Sequence, residues 1–159
     1  GLKTGHTEEA GYCLAASSER DGMRLVSVVM GAPSEDARAS DSRALLSWGF
    51  RFYETHRLYA AGEVLKEARI WKGARDQVPL GLADDLVVTI PKGEYERLEA
   101  NMSFPGRLVA PAEQGEALGT VRVMLDDEQI AEKPLVALEA VPEGGFFQRA
   151  IDVVLQWFQ

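Results

Sequence analysis

From Tyr53 onward the chain breaks into short apolar segments punctuated by glycine and proline, and this rhythm constrains the fold more than any other feature. The segments run 64–71, 77–82, 86–90, 95–103, 119–125 and 135–138, and Asp126-Asp127 supplies a turn after the fifth. Short strands with turn signals about every 8 to 12 residues predict a small all-β, sandwich-like domain.

The first fifty residues read differently. Strands are predicted at 11–17 and 23–30, joined through Ser18-Glu19-Arg20-Asp21-Gly22, where Asp-Gly between polar neighbours is a hairpin signal. Val26, Val28 and Val29 make the second strand nearly continuously apolar, which fits a sheet covered on both faces. Gly31-Ala32-Pro33-Ser34 ends that strand, and Ser34-Glu35-Asp36 reads as a helix start with acidic residues in the first turn. A helix over about 34–55 follows, with Leu45, Leu46, Trp48, Phe50 and Phe52 on its later apolar face and Arg38 one turn in.

The end of the chain changes character again. Phe147, Ile151, Val154, Leu155 and Phe158 fall on one stripe of a helix, with Gln148, Arg149, Asp152, Gln156 and Gln159 opposite. Gly144-Gly145 precedes this amphipathic segment as a hinge. These shifts divide the chain into 1–52, 53–143 and 144–159.

Composition excludes several classes. A net charge of −8 leaves no basic stripe for nucleic-acid phosphates. One cysteine, Cys13, rules out an internal disulfide and reads as a small buried hydrophobe within Tyr12-Cys13-Leu14-Ala15-Ala16. His6 and His56 lack any spacing to cysteines or carboxylates that suggests zinc, so neither a metal nor another cofactor is expected. No apolar run is long enough to span a bilayer.

Lys3-Thr4-Gly5, followed by His6-Thr7, carries the chemistry. Lys-Thr-Gly is one of three short elements that line the active sites of penicillin-binding proteins and serine β-lactamases. The others, Ser-x-x-Lys and Ser-x-Asn, occur nowhere here, so no serine of this chain is a credible nucleophile. In order, Leu2-Lys3-Thr4-Gly5-His6-Thr7, Ala10-Gly11-Tyr12, Met23-Arg24-Leu25, Met30-Gly31, Trp48-Gly49-Phe50-Arg51-Phe52, Thr89-Ile90-Pro91, Pro134-Leu135-Val136, Pro142-Glu143-Gly144 and Phe146-Phe147 resemble low-molecular-mass penicillin-binding proteins. The type is the D-alanyl-D-alanine carboxypeptidase of the penicillin-binding protein 5/6 kind, and the likeness covers essentially the whole chain.

The resemblance implies the α/β end of a penicillin-binding, serine β-lactamase-like domain at 1–52, a β-rich stalk at 53–143 and an amphipathic membrane anchor at 144–159. It implies a serine enzyme that removes the terminal D-alanine of peptidoglycan pentapeptides through an acyl-enzyme and is acylated by β-lactam antibiotics. The nucleophile and its Ser-x-x-Lys are expected on an upstream portion that this chain completes, and this chain alone is expected to be inactive. The implied location is the periplasmic face of the bacterial inner membrane, with 146–159 on the membrane surface through Phe146, Phe147, Trp157 and Phe158. At about 1.5 Å per residue such a segment is too short to cross a bilayer but long enough to lie in its interface. Its one basic residue is Arg149, so apolar insertion must dominate there.

Residue roles follow by the same likeness. Lys3 sets a cation beside the upstream serines, Thr4 hydrogen-bonds the substrate's terminal carboxylate, and Gly5 lets the ligand approach the backbone closely. The backbone N–H of His6 resembles one arm of an oxyanion hole, while its side chain lines the cleft. Arg38 is expected to pair with the substrate carboxylate, against the local cost of a cation near a helix N-terminus. Two other readings compete: a non-catalytic membrane-tethered spacer or interaction module, and a β-lactamase. The long β-rich extension and apolar tail argue against the latter.

Overall fold

A computed structural model describes residues 3–145. In chain order its elements are β1 (Lys3–Thr7), β2 (Gly11–Arg20), β3 (Met23–Ala32), α1 (Glu35–Phe52), β4 (Tyr53–Tyr59), β5 (Lys66–Trp71), β6 (Gln77–Gly81), β7 (Leu86–Pro91), β8 (Leu98–Ser103), β9 (Leu108–Val109), β10 (Ala117–Leu125) and β11 (Glu128–Ala137). The anticipated amphipathic helix over 146–159 lies outside the described residues. The described residues form two compact units: 3–56 with 89–95, and 57–88 with 96–145.

The first unit is an antiparallel three-stranded sheet, ordered β1-β2-β3, with α1 packed on it. Asp21 and Gly22 both adopt left-handed backbone, and Arg20 pairs with Met23, so the Asp-Gly signal closes a two-residue hairpin. Ser34 caps α1, its hydroxyl accepting from the Ala37 N–H at 3.1 Å. Helix and sheet meet through the buried Ser27–Ser42 hydroxyl pair at 2.5 Å and through Gly49, where a Cβ would sit 2.5 Å from Leu25 Cδ1. Met23, Val29 and Phe50 are buried around them.

Two expectations need correction here. The helix ends at Phe52 rather than near residue 55, because Tyr53 is already extended (φ −120°, ψ 157°) and begins β4. Aromatic Tyr53 and β-branched Thr55 favour strand over a further helical turn. Second, β3 is covered on one face only among the described residues. Val26, Val28 and Met30 are 67%, 61% and 74% exposed, while Met23, Ser27 and Val29 on the alternate face are buried. Nearly continuous apolarity records what a strand can bury, and the described residues supply cover for one side.

The second unit is built on a six-stranded sheet ordered β8-β10-β11-β6-β5-β9. Asp126, with left-handed backbone, and Asp127 close the β10–β11 hairpin. That hairpin strand starts at Glu128, well before the apolar stretch 135–138, because β10 pairs with its largely polar first half. Val78, Leu80, Leu82, Val121, Val123, Leu135 and Val141 are fully buried. At about 25 cal/mol per Å² of apolar surface, this cluster is the main source of the unit's stability. β9 alone pairs in parallel, Ile70 with Leu108 and Trp71 with Val109. No helix among the described residues is long and apolar enough to cross a membrane.

Two carboxylates tie loops within their own units. Glu54 accepts from the Gly93 N–H at 3.2 Å and approaches His56 Nε2 at 3.2 Å. That nitrogen is buried and off-line for a hydrogen bond, so the contact is an ion-pair distance only. The imidazole beside it and the Gly93 N–H hold the Glu54 carboxyl below its ordinary 4.5. Asp85 accepts from the Ala61 N–H at 2.8 Å, which with Arg57 holds it below its ordinary 3.8. A carboxyl depressed by folding stabilises the native state above its unfolded pKa, and that contribution is lost as pH falls through the folded value. The melting temperature is therefore expected to be flat near neutrality and to drop below about pH 4. In Glu54→Gln/Asp85→Asn the acid limb becomes shallower; an unchanged limb would assign it to other carboxyls.

Candidate active site

β1 is an edge strand whose five residues are all exposed. Its inner edge pairs antiparallel with β2: Lys3 with Ala15, Thr4 with Leu14, Gly5 with Cys13, His6 with Tyr12 and Thr7 with Gly11. No strand among the described residues occupies the other edge, so backbone groups there can receive an extended ligand. The turn before β2 is held by Thr7, whose hydroxyl accepts from the Ala10 N–H at 2.9 Å. Gly11 then follows with φ +64°, where an added Cβ would lie 3.0 Å from Gly31 Cα. Glycine is demanded at that position by the fold itself.

Gly5 is the opposite case. A Cβ there would meet nothing within 4 Å, and its φ lies outside the left-handed region. Nothing among the described residues requires glycine at this position, which leaves room for whatever docks against the strand.

Lys3 reaches out with one contact, 3.5 Å from Nζ to the Thr4 carbonyl oxygen. His6 is packed rather than free. Its imidazole stacks on Tyr12, its cross-strand partner, with centroids 3.9 Å apart and planes 16° from parallel. The Arg38 guanidinium lies over the same tyrosine at 5.5 Å. Tyr12 was legible only as part of a likeness, and no local signal marks it as the aromatic between two polar site residues.

Arg38 does come to the motif, though its side chain is only 12% exposed. Nη1 donates to the carbonyl oxygens of Gly5 at 3.3 Å and Cys13 at 3.4 Å, and Nη2 donates to Glu35 Oε1 at 3.0 Å. The guanidinium thus ties α1 to both β1 and β2. Glu35 lies one helical turn before it and offsets the cost of a cation near the N-terminus. The Glu35 side chain is 74% exposed, so that pair is weak and exchangeable. The Cys13 thiol sits 3.5 Å from the Ala10 carbonyl oxygen and is half-buried rather than fully enclosed. Among the described residues no three histidines, cysteines or carboxylates gather to hold a metal ion.

Comparison with known proteins bears on this arrangement. A family model described as penicillin-binding protein 5, C-terminal domain, matches residues 53–143. One described as D-alanyl-D-alanine carboxypeptidase matches residues 1–34. The chain is 40% identical over 159 residues to the D-alanyl-D-alanine carboxypeptidase DacA of Escherichia coli strain K12, covering 99% of this chain and 40% of that protein. It is 33% identical over 147 residues to DacF of Bacillus subtilis strain 168, covering 92% and 38%. The crystal structure of penicillin-binding protein 5 from Haemophilus influenzae superposes with a TM-score of 0.83 at 40% identity, covering 89% of this chain and 42% of that one. The chain spans about 40% of the length of the curated relatives it matches.

Proposed function

This chain belongs to the penicillin-binding protein 5 C-terminal domain family, and on that premise we propose that it is part of a serine-type D-alanyl-D-alanine carboxypeptidase. The parent enzyme removes the terminal D-alanine of peptidoglycan pentapeptides and is acylated by β-lactams. The observation that carries this reading is β1: an open edge strand with Lys3, Thr4 and an internally unneeded Gly5 all exposed to an incoming ligand. An upstream portion supplies the nucleophilic serine, in keeping with relatives more than twice as long and with the open apolar face of β3.

In the reaction, the serine oxygen attacks the carbonyl carbon of the penultimate D-alanine. The peptide bond breaks, the leaving amine takes a proton, and water then hydrolyses the ester. Lys3 favours the deprotonated nucleophile through its charge. Thr4 donates its hydroxyl to the terminal carboxylate, and the substrate backbone lies along the β1 edge beside Gly5. The His6 N–H stabilises the oxyanion, while its stacking on Tyr12 keeps the strand in register. Arg38 anchors the Gly5 carbonyl, and Nη2 leaves the exposed Glu35 to pair with the substrate carboxylate.

We place the catalytic part at 1–52, a stalk at 53–143 and an anchor at 144–159, holding the enzyme on the periplasmic face of the inner membrane. The stalk assignment is favoured by a unit several of whose charges form exposed local pairs, such as Arg97–Asp126 and Arg122–Glu132. The test is fluorescent-penicillin labelling of the full-length protein followed by a denaturing gel. Label is expected upstream of this chain, and Gly5→Val is expected to label at least tenfold more slowly with its melting temperature unchanged. Label within residues 1–159 would place the nucleophile here and end this reading.

A further inference from the structure

The six-stranded sheet ends at β9, and there two arginines of the second unit converge on one indole. Arg69 lies 3.9 Å from the Trp71 ring centroid and Arg107 lies 5.4 Å from the same centroid. Arg69 on β5 and Arg107, the residue just before β9, each immediately precede a residue of the parallel pair Ile70–Leu108. Two like charges brought to one ring repel each other. Both guanidinium groups are exposed, and among the described residues neither has a carboxylate partner. Arg75 nearby is paired with Glu139, whereas Glu67, two residues before Arg69 on its strand, forms no ion pair with it. In a chain with 25 acidic and 17 basic residues, two unpaired arginines held against one indole are a local positive site. Stacking limits the motion of both planar forks, so less freedom is lost when an anion binds.

The chain's last described residues lie beside this cluster. Gly73 bridges to Glu143, the Ala74 N–H donates to the Pro142 carbonyl at 2.9 Å, and the Gly144 N–H donates to the Lys72 carbonyl at 2.8 Å. Residues 142–144, which precede the Phe146-Phe147 segment in the sequence, are thus held against 72–74, directly after Trp71. That segment has one basic residue, Arg149, balanced by Asp152.

We propose that Arg69, Trp71 and Arg107 form a site for the phosphate of an anionic phospholipid headgroup, supplying at the root of the tail the positive charge that the tail lacks. The inference rests on the reading of 146–159 as a membrane-surface segment. It predicts that the folded stalk lies against the headgroups at this end.

The experiment is co-sedimentation of the whole chain with phosphatidylcholine vesicles, with and without phosphatidylglycerol. A protein of net charge −8 has no general attraction to an anionic surface, so preference for the phosphatidylglycerol vesicles reports a local site. At about fivefold per basic residue near such a surface, R69Q/R107Q is expected to lose about 30-fold of that preference. Its binding to neutral vesicles stays unchanged. R122Q, which alters net charge elsewhere in the same unit, keeps the preference. Preference retained in R69Q/R107Q, or absent from the wild type while neutral vesicles still bind, overturns this site and leaves the tail reading intact. No binding to either vesicle removes both. Competition by inorganic phosphate that abolishes the preference would assign the site to a soluble anion instead. Should the glutamine pair fail to fold, Trp48→Phe/Trp157→Phe leaves Trp71 as the only tryptophan. Headgroup spin-labelled lipid must then quench its fluorescence on phosphatidylglycerol vesicles, and absence of quenching overturns the proposal.

Discussion

Replacing Lys3 with alanine in the full-length enzyme is expected to slow acylation by penicillin about 100- to 1,000-fold, the usual effect of removing one preorganised electrostatic group from an acyl-transfer site. The same change should leave the fold alone. Lys3 is exposed on an edge strand, and among the described residues its Nζ bonds only the neighbouring Thr4 carbonyl at 3.5 Å, so the loss in stability stays within about 0.5 kcal/mol. This separation makes the result interpretable: a large rate loss at constant melting temperature has no explanation in packing. The measurement is the time course of fluorescent-penicillin labelling beside a thermal melt. A rate within threefold of wild type would remove Lys3 from the reaction, and with it the strongest argument that β1 is an active-site edge.

Leu80→Ala should do the reverse. Leu80 is fully buried on β6, an interior strand of the six-stranded sheet, level with Ala137 on β11 and Lys66 on β5. Truncating a leucine in such a place removes its transfer free energy and leaves a cavity, together about 2–5 kcal/mol. Against total stabilities of about 5–15 kcal/mol, that is a large share of what a domain this size possesses. The second unit is therefore expected to melt many degrees lower, as read by circular dichroism of this chain. If the second unit is a stalk, penicillin acylation of the full-length Leu80→Ala enzyme below that transition keeps its wild-type rate. Parallel loss of acylation would give the β-rich unit a direct part in catalysis, contrary to the stalk assignment.

How much of this was legible beforehand follows from the range of each interaction. The Asp21-Gly22 and Asp126-Asp127 turns, the Ser34 cap and the alternating strands are all local, and each appears where residue chemistry puts it. The helix boundary missed by about one turn because Tyr53 and Thr55 respond to strand pairing that lies elsewhere in the chain. The largely polar first half of β11 was missed for a similar reason: from Glu128 to Lys133 only Ile130 and Ala131 are apolar, and pairing with β10 recruits the stretch. The Lys-Thr-Gly motif is contiguous, so it could be read directly, and likeness to a family carried its meaning further than spacing could.

Contiguous residues alone determined the hairpins, the start of α1 and the candidate motif. Only the tertiary structure decided that the Arg38 guanidinium grips the Gly5 and Cys13 carbonyls, that Tyr12 separates His6 from Arg38, and that Arg69 meets Arg107 across Trp71. The Arg38 contacts with Gly5, Cys13 and Tyr12 and the Arg107–Trp71 contact each join residues 25 or more positions apart in the chain. Such contacts depend on strand register and helix placement, which hydrophobic burial over the whole chain selects, and no short window of sequence contains that information.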